Sequence, residues 1–137
     1  MKNTSTAIWT GTGKEGTGKI SSFSKVLENA QFNYNSRFEQ GIGTTPEELI
    51  AAAHAGCFSM KTAFTFDKAG FPAEHLEATC HITFKEGVIS NSHLKLKAKI
   101  KNVDKATFEQ LVKEAAENCP VSKVLNTSIT HEAILEQ

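Results

Sequence analysis

Two cysteines, Cys57 and Cys119, are the residues of this chain most suited to covalent chemistry. Cys57 lies within a run of apolar and small residues, and Cys119 directly precedes Pro120. They are too far apart in the sequence to form a local Cys-x-x-Cys unit. A thiolate is readily oxidised by peroxides, and a second thiol can then condense with the oxidised sulfur. The two residues therefore suggest an attacking and a resolving cysteine, the pair that a thiol peroxidase requires.

An attacking cysteine needs a positive charge nearby, because a cation lowers the pKa of the thiol. Cys57 falls in the middle of a predicted helix, so it gains nothing from a helix N-terminus. Arg37 is the only arginine in the chain, and a guanidinium stays charged even when it is buried. Glu47 could orient Arg37 through a bidentate ion pair. The adjacent Glu48 is better explained as a helix-capping residue.

Other uses of these residues stay open. His54 lies one turn before Cys57, which would allow a Cys–His hydrolase or transferase, although no third orienting group is evident. The cysteine pair could also serve a redox sensor or binding module without turnover, or consist of inert thiols in a structural dimer. Cys80 falls on the inward-facing side of a predicted strand and is expected to be a core residue.

Length and composition exclude several classes of protein. A chain of 137 residues predicts a single domain, 1–137. Fifteen basic and fifteen acidic side chains give a net charge of zero, which argues against nucleic-acid binding. No stretch reaches the ~18 apolar residues of a membrane span. The five histidines lack the spacing of metal ligands, so we expect no metal and no other cofactor.

The cellular setting follows from the cysteine content and the N-terminal sequence. The first residues contain no apolar region of the kind found in signal peptides, so we expect a cytoplasmic protein. Three cysteines are too few for a disulfide scaffold, and disulfides in the cytoplasm are mostly transient. A disulfide in this chain would therefore be catalytic or regulatory.

The elements that must position these residues run in the order strands, helix, strands, helix, strand, which predicts an α+β fold. The N-terminal strands are predicted at 4–10, 19–27 and 30–34. A long helix begins at Thr45, with Pro46 at its first position and Glu48 completing a capping box. Later strands are predicted from the alternation in 76–84 and 88–100, with a turn at Glu86 and Gly87 and with Leu94, Leu96, Ala98 and Ile100 facing inward. A helix capped by Asp104 or Asn102 and a last strand at 128–135 follow.

The long helix predicts a dimer. From Leu49 to about Phe66 it is almost wholly apolar or small, so it is expected to be buried all round. A small sheet can cover only one side, and a second subunit is the simplest cover for the other. Glu47 and Cys57 are about 15 Å apart along one straight helix. Antiparallel packing about a two-fold axis would bring Glu47 of one chain near Cys57 of the other, which predicts an active site at the interface.

Two motifs together resemble the OsmC/Ohr family of organic hydroperoxide reductases. The first is Gly-Thr-Thr-Pro-Glu-Glu-Leu-Ile-Ala-Ala-Ala-His-Ala-Gly-Cys-Phe-Ser-Met at 43–60, and the second is Asn-Cys-Pro-Val-Ser at 118–122. The form of the first motif is more similar to the OsmC branch. The resemblance implies an intertwined α+β homodimer in which long central helices pack against antiparallel-rich β-sheets.

The resemblance also implies roles for individual residues. Cys57 corresponds to the peroxidatic cysteine, Cys119 to the resolving cysteine, Arg37 to the arginine and Glu47 to the glutamate of the family. The implied mechanism reduces an organic hydroperoxide to an alcohol through a Cys57 sulfenic acid and a Cys57–Cys119 disulfide. An external dithiol then restores both thiols. Cys80 has no role in this pattern.

Overall fold

A computed structural model describes residues 1–35 and 42–136. The chain forms two compact units, Met1–Leu49 and Ile50–Gln137. Across the described residues, helices and strands follow one another in the order expected of an α+β protein, which confirms the predicted class. Arg37 lies outside the described residues, so its predicted role is not addressed by the fold.

The first unit contains a three-stranded antiparallel sheet. Its strands are β1 (Ser5–Thr10), β2 (Thr17–Ser22) and β3 (Ala30–Asn33), in that spatial order. The rings of Trp9 and Phe32 pack with their centroids 5.5 Å apart. Phe32 crosses directly over Gly18, where any Cβ would overlap the ring. The sheet is therefore held by one aromatic pair and a glycine that admits it.

The second predicted strand, at 19–27, is wrong beyond Ser22. The Ser22 hydroxyl accepts a hydrogen bond from the Leu27 N–H at 3.0 Å, and the Ser24 hydroxyl accepts one from the Val26 N–H at 3.3 Å. Lys25 adopts a left-handed φ of 65°. Serine side chains compete with a strand partner for backbone groups, so the chain turns here instead of extending.

The second unit is built on a long hairpin. Strands β4 (Ala73–Lys85) and β5 (Val88–Ile100) pair antiparallel along their length. Glu86 and Gly87 connect them, with φ values of 51° and 81°. Two consecutive residues at positive φ are the requirement of the tightest hairpin turns, whose twist matches that of the strands.

A helical crossover completes the second sheet. The helix that we call α1 spans Pro46–Lys68 and precedes the hairpin, whereas α2 (Lys105–Asn118) and α3 (Pro120–Val124) follow it. Asp104 caps α2 by accepting the Thr107 N–H at 3.0 Å. Strand β6 (Ser128–Glu136) then pairs parallel to β5, as a helical crossover permits.

The core of the second unit lies between β5 and one face of each long helix. The inward-facing positions predicted on β5 are confirmed as buried: Leu94, Leu96, Ala98 and Ile100. From α1 the buried side chains recur every fourth residue: His54, Phe58, Thr62 and Phe66. Phe66 meets Phe108 of α2 with ring centroids 5.8 Å apart.

Among the described residues, apolar side chains on the opposite face of α1 are exposed. Met60 and Phe64 are 63% and 66% exposed. The expectation that α1 is buried all round thus depends on a second subunit, and it stays a prediction.

Candidate functional site

The start of α1 is fixed by the threonines that precede it. The Thr45 hydroxyl accepts the Glu48 N–H at 2.9 Å, which is the first half of the predicted capping box. The Glu48 carboxylate accepts the Thr44 hydroxyl at 2.7 Å, one residue earlier than a capping box requires. Glu48 therefore serves the helix end, as predicted, and Glu47 lies beside it in the first turn, half-buried.

Cys119 lies at the junction of two helices. It ends α2, where its N–H donates to the Ala115 carbonyl at 3.0 Å, and its own carbonyl accepts the Lys123 N–H at 3.1 Å across α3. Pro120 occupies the first position of α3, where a missing N–H costs nothing. The side chain of Cys119 is fully buried. The backbone of Cys119 is thus held by hydrogen bonds on both sides.

The fold brings Cys57 and Cys119 together. Both are thiols, and Cys57, half-buried on α1, packs against the apolar cluster that contains Cys119. The Cys119 thiol and the Val121 backbone N–H lie near enough to the Cys57 sulfur to shift its pKa. The residues predicted to form a redox pair are therefore neighbours, although they come from distant parts of the sequence.

The electrostatics around Cys57 oppose ionisation. Burial raises the pKa of the Cys57 thiol, and the hydrogen bond with Cys119 raises it further. The Val121 N–H and the charge of Lys61 lower the pKa but do not reverse the direction. Activation of Cys57 at neutral pH therefore requires a cation beyond these groups.

A buried polar chain lies next to the cysteine pair. His54 is fully buried, with Nδ1 2.6 Å from the Ser92 hydroxyl oxygen and Nε2 2.7 Å from the Ser122 hydroxyl oxygen. Cys80 continues the chain, with its sulfur 3.2 Å from Ser92 Oγ. Burial lowers the pKa of His54, and burial raises the pKa of Cys80. Both groups are therefore held in their neutral forms.

The buried polar chain argues against the alternative in which His54 acts as a base for Cys57. Both ring nitrogens already contact serine hydroxyls, so the imidazole is not directed at the Cys57 sulfur. The two serines were not identified from the sequence. Ser92 shares the inward parity of Leu94 and Leu96 on β5, which is a sequence signal for a buried hydroxyl that must have a partner.

Of the two remaining predicted site residues, Glu47 lies within the described residues and Arg37 does not. Glu47 and Cys57 lie on the same helix, about 15 Å apart by helical rise. The pairing of Glu47 with Arg37 stays a prediction. Over residues 1–35 and 42–136, no group of three or more His, Cys, Asp or Glu side chains could hold a metal ion. No helix in that part of the chain is long and apolar enough to cross a membrane.

Known proteins resemble this chain over most of its length. The family model described as OsmC-like protein matches residues 39–133. The chain is 38% identical over 128 residues to "Peroxiredoxin OsmC" of Escherichia coli strain K12, covering 90% of each sequence. It is 33% identical over 92 residues to "Organic hydroperoxide resistance protein" of Xanthomonas axonopodis pv. citri, covering 65% of this chain and 64% of that one.

The fold is shared with solved structures. The crystal structure of the organic hydroperoxide resistance protein OhrB of Bacillus subtilis superposes with a TM-score of 0.64 at 24% identity, covering 97% of this chain and 98% of that chain. At this identity the likeness concerns the fold. Together with the sequence match over more than half of its residues, it shows that the chain belongs to the OsmC family.

Proposed function

We propose that this protein is a cysteine-based peroxidase that reduces organic hydroperoxides to alcohols. The observation that carries the proposal is the proximity of Cys57 and Cys119: Cys57 packs against the cluster that contains Cys119, and the Cys119 thiol shifts the pKa of Cys57. Two thiols from distant segments gain little stability from meeting in this way, whereas an oxidised cysteine needs a second thiol within reach. The names of the relatives, a peroxiredoxin and an organic hydroperoxide resistance protein, support the same chemistry.

The reaction proceeds in three balanced steps. The Cys57 thiolate attacks one oxygen of the hydroperoxide, the O–O bond breaks, and the alkoxide takes a proton to leave as the alcohol. Cys57 is then a sulfenic acid. The Cys119 sulfur attacks it, so that the S–S bond forms and the S–O bond breaks, releasing water. An external dithiol reduces the disulfide by thiol exchange and is itself oxidised to a disulfide.

Arg37 is assigned the task of holding Cys57 as a thiolate. The described neighbours leave the pKa of Cys57 raised, with burial as the largest cause, so a strong cation is required. A guanidinium meets this requirement and can polarise the peroxide oxygen at the same time. Glu47 is assigned to orient Arg37 by an ion pair.

We further propose that the protein acts as a homodimer with its sites at the interface. Glu47 is about 15 Å from Cys57 along the same helix. The two side chains are therefore too far apart to share one small site on a straight helix. The exposed Met60 and Phe64 give α1 an apolar face that a second copy could cover. The same side chains would form an apolar wall favouring organic hydroperoxides.

A redox sensor without turnover is the second candidate. The buried Cys119 favours it, because an external dithiol would reach a disulfide with a fully buried sulfur only slowly. Its reductant and compartment would be the same as for the enzyme, a dithiol in the cytoplasm.

Peroxide consumption separates the two. Purified protein is mixed with cumene hydroperoxide and excess dithiothreitol, beside the variants Cys57→Ser and Cys119→Ser. Many turnovers by the wild type, none by Cys57→Ser and an impaired Cys119→Ser would support the peroxidase. A single turnover that ends in a Cys57–Cys119 disulfide would support the sensor. Unreactive thiols would contradict both.

A further inference from the structure

His54 joins three separate elements of the second unit. It lies on α1, and its ring contacts Ser92 of β5 through Nδ1 at 2.6 Å and Ser122 of α3 through Nε2 at 2.7 Å. His54 and Ser92 have no exposed surface, and Ser122 is 9% exposed. Hydrogen bonds in such a dry setting are strong, and each is costly to break.

The bond to Ser122 acts on the element that faces Cys57. Ser122 lies three residues after Cys119, in the short helix that begins directly after that cysteine. Val121, which precedes Ser122, lies near enough to the Cys57 sulfur to lower its pKa. On α1, His54 is one turn before Cys57. The imidazole therefore bridges the two segments of chain that carry the sulfurs.

Helix α3 has few other side-chain anchors. It spans Pro120–Val124, and three of its five residues are exposed: Pro120, Lys123 and Val124. A helix of one turn is not stable by itself and takes its position from its surroundings. The Ser122 hydroxyl is its buried polar contact, and Val121 is its partly buried apolar one.

We propose that His54 is a positioning residue for the cysteine pair: through Ser122 it holds α3 against α1 so that the Cys119 thiol stays within reach of the Cys57 sulfur. The catalytic consequence rests on the proposed peroxidase function. It concerns the second step, in which the Cys119 sulfur attacks the Cys57 sulfenic acid, the S–S bond forms, and the S–O bond breaks with loss of water. Such a step depends steeply on how the two sulfurs are aligned.

The neutral imidazole suits this task. A neutral ring carries one N–H and one lone pair, so it donates to one serine and accepts from the other. Burial lowers the pKa of His54, which keeps the ring in this form. The arrangement then holds both serines with no charge placed beside the sulfurs.

Four variants test the two hydrogen bonds of the His54 ring separately. Ser122→Ala and His54→Asn remove the contact with α3, because an asparagine amide reaches only to the place of Nδ1. Ser92→Ala and His54→Gln are the matched controls, since Ser92→Ala cuts the other contact and a glutamine amide reaches to the place of Nε2. The stability of each variant is measured by urea unfolding.

The chemical readout separates the steps. After one equivalent of cumene hydroperoxide, rapid quenching and mass spectrometry follow the sulfenic acid and the Cys57–Cys119 disulfide. We expect Ser122→Ala and His54→Asn to form the sulfenic acid at nearly the wild-type rate and the disulfide about tenfold more slowly, the effect of losing one well-placed hydrogen bond. His54→Gln should stay within about threefold of the wild type, which corresponds to less than one lost hydrogen bond.

A second readout needs no peroxide. The amide proton of Val121 in the reduced protein should change its chemical shift in Ser122→Ala and His54→Asn, because α3 moves relative to α1. It should be unchanged in Ser92→Ala and His54→Gln. Ser92→Ala should be destabilised, since it strands a buried partner, yet it should keep the wild-type disulfide rate.

The inference is overturned if Ser92→Ala slows the disulfide step as much as Ser122→Ala, which would mark a merely structural role. It is also overturned if Ser122→Ala leaves the Val121 amide shift unchanged. A wild-type protein that forms no sulfenic acid would instead contradict the proposed function. In that case the Val121 shift still decides whether His54 positions α3.

Discussion

The two sheets of this chain each have three strands, but the strands of the second are longer and the two sheets are opposite in character. Every residue of β1 is exposed, whereas on β5 alternate residues from Ser92 to Ile100 are buried beneath two helices. Ile8 is 62% exposed, and Phe23 and Val26 beyond the end of β2 are more exposed still. The second sheet has its own core, and the first requires cover from elsewhere. The cysteine pair lies in the unit that has its own core.

The largest effect that we expect comes from the core of the second unit. Phe66→Ala should lower the free energy of unfolding by about 3–5 kcal/mol, because it opens a cavity against Phe108. Urea unfolding measures the loss. The matched control is Phe64→Ala on the opposite, exposed face of the same helix. Equal losses in dilute protein would contradict the difference between the two faces of α1.

A smaller effect should appear in the apolar surfaces that one chain leaves open. If a second copy covers them, the melting temperature of the wild type rises with protein concentration, because association stabilises only the folded state.

Phe64→Asp should abolish that rise and give a monomer in analytical ultracentrifugation. Lys68→Asp, on an exposed position near the end of the same helix, is the control for the added charge. A wild type that stays monomeric at high concentration would contradict the proposed homodimer.

The smallest effect concerns acid. Burial lowers the pKa of His54 below its ordinary value of 6.5, so the unfolded chain takes up the proton first. The stabilisation from the neutral ring is complete above the ordinary pKa and is lost as the pH falls below it.

Urea unfolding at pH 7.5 and pH 5.0 should therefore show a larger loss for the wild type than for His54→Gln, which cannot titrate. The other histidines are common to both proteins and cancel in the difference. Equal losses would show that His54 is not held neutral by the fold.

The features that sequence reasoning predicted well are local ones. The cap at Thr45, the turn at Glu86 and Gly87 and the inward alternation from Leu94 to Ile100 each depend on residues close together in the chain. The predicted end of strand β2 was also wrong for a local reason, because serine hydroxyls accept hydrogen bonds from the backbone N–H groups that a longer strand would have used. The spacing of apolar residues carries no information about such side-chain hydrogen bonds to the backbone.

The features that it missed are set by distant residues. The sequence suggested that Cys57 and Cys119 act together, but the placement of Val121 near the Cys57 sulfur depends on how α3 follows α2. The contacts of His54 with Ser92 and Ser122 join three segments that no spacing rule connects. The parallel pairing of β6 with β5 likewise follows from the crossover and not from the composition of either strand.

That parallel pairing has a consequence for the order in which the molecule assembles. The β4–β5 hairpin is closed by a two-residue turn, so it can form early. Strand β6 can pair with β5 only after the connection through α2 and α3 has folded. Long-range parallel contacts are slow because the loop must close before they stabilise it. Cys119 lies between α2 and α3, within that connection. A nascent chain therefore exposes Cys57 without its neighbour, and the two sulfurs meet only near the end of folding.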